Sequence, residues 1–288
     1  MNAVDATTTG TAVPKRRPWL GLGVPGTLGL LVLLAWLVVA AVAPWCVPSS
    51  ALDIGALPVF APPQAGHWLG ADYLGRDMLA RVLTGARYTV GVALVAAVLA
   101  SAIGTALALL AAVSGGLLDA VLSRGMDTLI SIPSKLFALI MVAAFGASVP
   151  LLVVTAALIY VPGAYRIARA LAINIATLDY VVVARTRGES RVYLMLHEVL
   201  PNILSPMLVD LGLRFVYVVL LLASLSFLGL GAPPSAADWG TLVRENLGVL
   251  WQSGMAVVAP ALAIASLTMA VNLVVDALPG RAARRAVR

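Results

Sequence analysis

Side chains that could do covalent or metal chemistry are few in this chain, and they lie far apart. Its two histidines, His67 and His197, and its single cysteine, Cys46, are too scattered for a recognisable zinc site or an intrachain disulfide. His197 and Glu198 lack the second histidine of a metalloprotease H-E-x-x-H motif, and no G-x-x-x-x-G-K-[ST] nucleotide-binding loop occurs. We therefore expect no catalytic residues, no metal site and no cofactor bound by this chain.

A few charged residues within apolar stretches are candidates for another kind of site. Lys135 is predicted about eight residues, or ~12 Å, inside a spanning helix, too deep to reach the interface comfortably, so it should face protein or a watery pathway. Asp210 and Arg214 are four residues apart, which predicts either mutual neutralisation or a place along such a pathway. Asp276 is expected to pair with Arg281 near the membrane surface.

Polar residues concentrate between about Leu171 and Leu204. Gly188 can adopt the left-handed conformation that ends a helix, and Ser190 can cap a second helix, which Pro201 is expected to terminate. Two short helices around a glycine, with apolar residues among arginines, predict a compact knob that fits a groove on a partner protein.

A second polar motif, Gly75-Arg76-Asp77, precedes a long apolar run. Arg81 lies one helical turn after Asp77 and can pair with it as a structural staple. The alternative is a docking site for an external protein.

The composition predicts that membrane-spanning helices position these residues. The 288 residues are 61% hydrophobic and only 11% charged, which is too apolar for a water-soluble domain. The apolar runs are continuous and do not alternate, so they predict an all-α integral membrane protein instead of a barrel. Six transmembrane helices are expected, at about 18–43, 88–113, 127–146, 149–170, 206–231 and 255–277.

The number of crossings is decided by the positive-inside rule. Counting residues 127–170 as two helices places the Arg185–Arg187 cluster and both basic tails in the cytoplasm, whereas counting them once places that cluster and the C-terminal tail outside. The predicted organisation is a cytoplasmic tail 1–17, an external loop 44–87, a five-helix core 88–278 containing a cytoplasmic loop 171–204, and a basic cytoplasmic tail 279–288. The net charge of +6 is thereby explained as an orientation signal, so no nucleic-acid partner is expected.

The knob resembles the "EAA" loop of ABC-importer permeases when Gly188 and Leu200-Pro201 are aligned with its glycine and L-P pair. The triplet is then Val182-Val183-Ala184, with Val182 in the place of the family's glutamate. The stretch from His67 to Arg87 is similar to the H-P-L-G-T-D-x-x-G-R-D-x-x-S-R-x-x-x-G-A-R motif of dipeptide and oligopeptide permease C subunits. Residues 226–240 resemble their S-F-L-G-L-G-x-x-P-P-x-x-x-W-G motif, and the matches together span about residues 60–280.

This resemblance implies a type I ABC-importer permease fold in the bacterial cytoplasmic (inner) membrane. It implies a heterodimer with a B-type permease subunit, one or two ATP-binding subunits that hold ATP and Mg, and an extracytoplasmic substrate-binding protein. The implied ATPase-coupling residues are Ala184, Arg185, Gly188, Arg191, Leu200 and Pro201. The cargo would be di- or oligopeptides, or alternatively nickel, glutathione or haem. Independently of the resemblance, the predicted depth of Lys135 favours a place in the pathway, where its ammonium could meet a peptide carboxylate. A stand-alone channel or an ion-coupled carrier is the more distant alternative.

Overall fold

A computed structural model describes residues 23–231, 238–251 and 254–278. In these ranges the chain forms helices joined by turns, which confirms the all-α prediction. The helices are α1 Gly23–Cys46, α2 Met78–Ser114, α3 Gly116–Ile130, α4 Ser134–Phe145, α5 Val149–Ala176, α6 Asp179–Thr186, α7 Arg191–Tyr193, α8 Leu200–Phe227, α9 Trp239–Asn246 and α10 Gly254–Ala277. Short 3-10 turns lie at Ser49–Leu52 and Leu247–Val249.

Five continuous helices in the described ranges are long and apolar enough to cross a membrane: Gly23–Cys46, Met78–Ser114, Val149–Ala176, Arg191–Phe227 and Gly254–Ala277. The fourth of these joins α7 to α8 through a π-helical turn at Leu194–Val199. A sixth crossing is made if α3 and α4, which are bent by 82° relative to each other, count as one broken span. The chain is therefore a multi-pass membrane protein.

The third span differs from the continuous helix expected at 127–146. Helix α3 already begins at Gly116, and the chain breaks between Ile130 and Ser134 before α4 continues. Pro133 lies in this break, where its ring and its missing N–H prevent the regular helical hydrogen bonds from continuing. Lys135 consequently lies at the start of a short helix and not along the middle of a long one.

Three other helices are longer than expected, or shifted. Helix α2 begins at Met78, ten residues before the predicted position, because the Asp77 carboxylate accepts a hydrogen bond from the N–H of Ala80 (2.9 Å) and caps the helix there. Helix α5 continues past residue 170 to Ala176, and α8 occupies Leu200–Phe227 where 206–231 was expected. Both predicted tails, together with Arg281, lie outside the described residues.

Small residues allow the central helices to pack closely. Buried alanines follow one face of α2, and Gly104 in that row lies against α5, where a β-carbon would overlap Ala164. Between helices in a membrane such small side chains let backbones approach, which supplies the van der Waals contact that holds the bundle together. Gly29 of α1 makes an equally close approach to Ala270 of α10.

The bundle has two distinct ends. At one end, residues 47–77 and α9 lie together beside the start of α2; we call this the clamp end. At the other end, residues 177–199 lie beside the last residues of α2; we call this stretch the interhelical segment and its side of the molecule the segment end.

Candidate functional site

The turn in the interhelical segment forms as the sequence predicts. Gly188 follows the end of α6 with a φ of +85°, in the region that side chains other than glycine rarely adopt. The Ser190 hydroxyl then accepts a hydrogen bond from the N–H of Tyr193 (3.2 Å), so it caps the next helix. The predicted glycine turn and serine cap are both confirmed.

One face of the interhelical segment is anchored to the bundle. Val181 and Ala184 of α6 are buried in a cluster that includes residues of α2 and α5. Arg185 donates a hydrogen bond to the carbonyl oxygen of Val113 (3.3 Å). Arg191 donates one to the Ser114 hydroxyl (3.4 Å). The two arginines therefore bind the segment to the last turn of α2.

The opposite face of the same segment is apolar and exposed. Val182, Val183 and Val192 have exposed side chains, as do Tyr193 and Leu196. An exposed group of large apolar residues next to arginines is typical of a protein-binding surface. Val182 lies on this surface, at the position where the resembling family has glutamate.

Pro201 does not end the second helix, so that prediction is wrong. The chain continues from Arg191 to Phe227 as one helix, with Leu200 and Pro201 in the first turn of α8. The π turn at Leu194–Val199 lies directly before the proline. A wider turn there accommodates a residue that has no N–H to donate and whose ring crowds the preceding carbonyl groups.

At the clamp end, four charged residues form one cluster, which we call the charge clamp: Asp72, Arg76, Arg81 and Glu245. The fully buried Asp72 Oδ2 accepts hydrogen bonds from Arg76 Nε (2.8 Å) and from Arg81 Nη1 (2.7 Å). Arg81 Nη1 also donates to Glu245 Oε2 (2.8 Å), 164 residues along the chain. The clamp thus fastens the start of α2 to α9.

The predicted pairing of Arg81 with Asp77 is wrong. Asp77 is occupied as the cap of α2, and its other carboxylate oxygen lies 2.5 Å from Nδ1 of His67. Arg81 turns instead towards two carboxylates that the i,i+4 rule does not reach. Gly75 has a φ of +72°, and a β-carbon there would overlap the carbonyl oxygen of Leu57, so the motif needs glycine at this position.

Asp210 and Arg214 form the buried ion pair that their spacing predicts. Arg214 donates through Nε to Asp210 Oδ2 (2.5 Å) and through Nη2 to Asp210 Oδ1 (2.9 Å). Its Nη1 donates to the carbonyl oxygen of Tyr160 in α5 (2.9 Å) and would lie only 2.8 Å from a β-carbon placed on Gly163. The pair therefore joins α8 to α5, and the structure places it in the bundle interior.

Lys135 lines an open cleft of about 710 Å³ between α4, α8, α9 and α10. The neighbouring Ser134 lines another cavity with Leu158, Ile159 and Tyr160, which lie nine to eleven residues into α5. At 1.5 Å per residue this is ~15 Å from the start of that helix, about half the thickness of a bilayer core. The start of α4 therefore lies about level with the middle of α5, while Gly240 and Val243 of the Lys135 cleft belong to α9 at the clamp end.

Several residues that make contacts within one end of the bundle were not predicted as site residues. Asp72 belongs to the His67–Arg87 motif, where its closeness in sequence to Arg76 and Arg81 indicates an ion pair. Glu245 and Asn246, whose Oδ1 accepts from the N–H of Tyr73 (3.2 Å), are too distant along the chain for any local rule to connect. Arg169 and Asp119 form a bidentate ion pair between α5 and α3 that was also missed.

The geometry and the fold comparison together define the class. The structure is similar to that of an amino acid ABC transporter with histidines, with a TM-score of 0.50 and 16% identity, over 69% of this chain and 92% of that chain. The chain has the type I ABC-importer permease fold.

The family follows from sequence. Residues 104–288 match the family described as binding-protein-dependent transport system inner membrane component, and the chain belongs to this family. It is 35% identical over 251 residues to a putative peptide transport system permease protein of Brucella suis biovar 1 (strain 1330), covering 87% of this chain and 84% of that protein. It is 32% identical over 261 residues to the probable D,D-dipeptide transport system permease protein DdpC of Escherichia coli (strain K12), covering 90% and 88% respectively.

Proposed function

We propose that this chain is one transmembrane subunit of an ATP-driven importer for di- or oligopeptides. The relatives that match most of its length carry peptide or dipeptide transport in their names, which supports this cargo. The observation that carries the coupling role is the two-faced interhelical segment: one face is bound to α2, and the other presents exposed Val182, Val183 and Val192.

In the proposed orientation the segment end and both chain termini face the cytoplasm. The positive-inside rule supports this, because the arginines of the interhelical segment and the basic tails then share one side. The clamp end faces outward, where a substrate-binding protein delivers the peptide. A second, B-type permease subunit completes the pathway.

The proposed mechanism is alternating access driven by partner subunits. One or two kinds of ATPase subunit bind ATP and Mg, and their closure moves the interhelical segment through contacts at Ala184, Arg185, Gly188 and Arg191. Because Arg185 and Arg191 bind the end of α2, displacement of the segment is transmitted to that helix. The bundle then rocks from inward-open to outward-open, and ATP hydrolysis on the partners resets it.

The test is Gly188→Trp in the assembled importer. The bulky side chain alters the surface and the turn where the ATPase docks, so we expect loss of ATP-dependent peptide uptake while membrane insertion is retained. ATP-dependent transport is measured as uptake of a labelled dipeptide into proteoliposomes. Membrane insertion is measured as the amount of protein in the membrane.

Gly146→Trp is the matched control. Gly146 also has a positive φ (+79°) and open space around its missing β-carbon, but it lies between α4 and α5, away from the interhelical segment. We expect this variant to transport. Uptake at the wild-type rate by Gly188→Trp would refute the coupling role.

A further inference from the structure

We infer that the cleft beside Lys135 binds a carboxylate of the transported molecule, so that this subunit itself selects cargo with a free carboxyl end. The inference rests on the proposed import function and adds a ligand-binding group to it. Lys135 would hold the carboxylate by a charge-assisted hydrogen bond during passage through the membrane.

The shape of the cleft suits a short peptide. Its volume of about 710 Å³ lies within the ~300–1,000 Å³ of typical small-molecule sites. Its walls come from three helices besides α4, so an occupant would contact α8, α9 and α10 together. The lining includes Lys135, Leu220, Ser224, Phe227, Ile264 and Thr268.

The charge of the cleft suits one anionic group. Among the described residues that line it, Lys135 is the single charged one, and none of them carries a carboxylate. The hydroxyls of Ser224 and Thr268 already donate to carbonyl oxygens of their own helices, those of Leu220 (2.7 Å) and Ile264 (2.9 Å). An apolar cleft with one ammonium complements a ligand that has an apolar body and one carboxylate.

The depth of Lys135 gives a second reason. In the part of the chain that the structure describes, Lys135 makes no ion pair. If α5 spans the bilayer, an ammonium at the start of α4, level with the middle of α5, is unfavourable against lipid, so we infer that the open side of the cleft faces water or another protein. A water-filled pathway accounts for both the unpaired Lys135 charge and the open volume of the cleft. It also gives a carboxylate of the cargo access to the Lys135 ammonium.

The experiment compares uptake of a free-acid dipeptide with its C-terminal amide by the intact importer in proteoliposomes. The binding protein is identical in every sample, so a change in the acid-to-amide ratio between variants reports on the permease. We expect Lys135→Gln to lower this ratio about tenfold, the size of one lost charge-assisted hydrogen bond, and Lys135→Arg to retain it.

Arg87→Gln is the matched control, because it removes one positive charge from an exposed position on α2 that does not line the cleft. It should keep the wild-type ratio. An unchanged acid-to-amide ratio in Lys135→Gln would overturn the inference. Loss of the second permease subunit when Lys135→Gln is copurified would also overturn it, because it would assign Lys135 to the subunit interface. If the wild-type importer took up neither peptide, the proposed function would fail instead.

Discussion

The two ends of the bundle are built in opposite ways. At the clamp end, a fully buried carboxylate, Asp72, binds two arginines, and Glu245 extends the same cluster to α9. At the segment end, the interhelical segment is held by buried apolar side chains and by two hydrogen bonds of 3.3 and 3.4 Å from arginines. The first end is braced by an ion cluster whose central members, Asp72 and Arg81, are buried, whereas the second has an exposed apolar face.

This difference bears on which end can be covered by the proposed partner with the smaller loss of internal contacts. Breaking a buried cluster leaves charges without compensation, so the clamp end resists change. Covering an exposed apolar surface is favourable, so the segment end suits the proposed binding of a partner. Substitutions should therefore be costly at the first end and mild at the second.

The largest expected effect is that of Asp72→Ala. Removing this carboxylate leaves Arg81 buried with only Glu245 as its partner, and we expect destabilisation of about 3–5 kcal/mol, as for other broken buried ion pairs. Unfolding of the purified protein in detergent measures it. The control is Asp53→Ala, at an exposed position in the same loop, which should change stability by less than ~0.5 kcal/mol.

A matched pair of glycines sharpens the comparison. Gly75→Ala adds a β-carbon that overlaps the Leu57 carbonyl, whereas Gly188→Ala meets open space and suffers only from its positive φ. We expect a loss of about 3 kcal/mol or more at Gly75 and about 1 kcal/mol at Gly188 in the same unfolding measurement. Equal losses at the two positions would show that the ends do not differ in rigidity.

The smallest effect is that of Ser190→Ala. Loss of this cap should cost about 1 kcal/mol and affect the segment end alone. Amide hydrogen exchange within residues 191–199 should become about fivefold faster, while exchange at α9 stays unchanged. Ser190→Asp keeps an acceptor for the Tyr193 N–H and should restore slow exchange. Faster exchange at both ends would contradict the local role of the cap.

The sequence predicts well those features that depend on neighbouring residues. The uncharged run ending at Val275 predicts α10 almost to its observed bounds, Gly254–Ala277, because span length follows from bilayer thickness. Gly188 and Ser190 predict their turn and cap because both act on backbone a few residues away. The family was predicted correctly from the joint match of three stretches: residues 67–87, residues 182–201 and residues 226–240.

Features that depend on distant or competing contacts were not predictable in this way. Arg81 has a carboxylate one turn away, yet the cap role of Asp77 and the tertiary approach of Glu245 decide its partners. Pro201 was expected to end a helix, but a π turn in the preceding residues lets the helix continue. The bend before Lys135 was not predicted, because spans were located by the length of uncharged runs, and that criterion takes no account of the helix break at Pro133.

The bond between Arg81 and Glu245 has a consequence for biosynthesis. These residues are 164 positions apart, so at roughly 5–20 residues per second the ribosome makes the second some ten to thirty seconds after the first. During that interval, Arg81 has emerged and Asp72 is its only clamp partner. The loop of residues 47–77 therefore cannot make all its final contacts until nearly the whole polypeptide has been made, and a chain truncated before α9 would lack the contacts from Glu245 and Asn246.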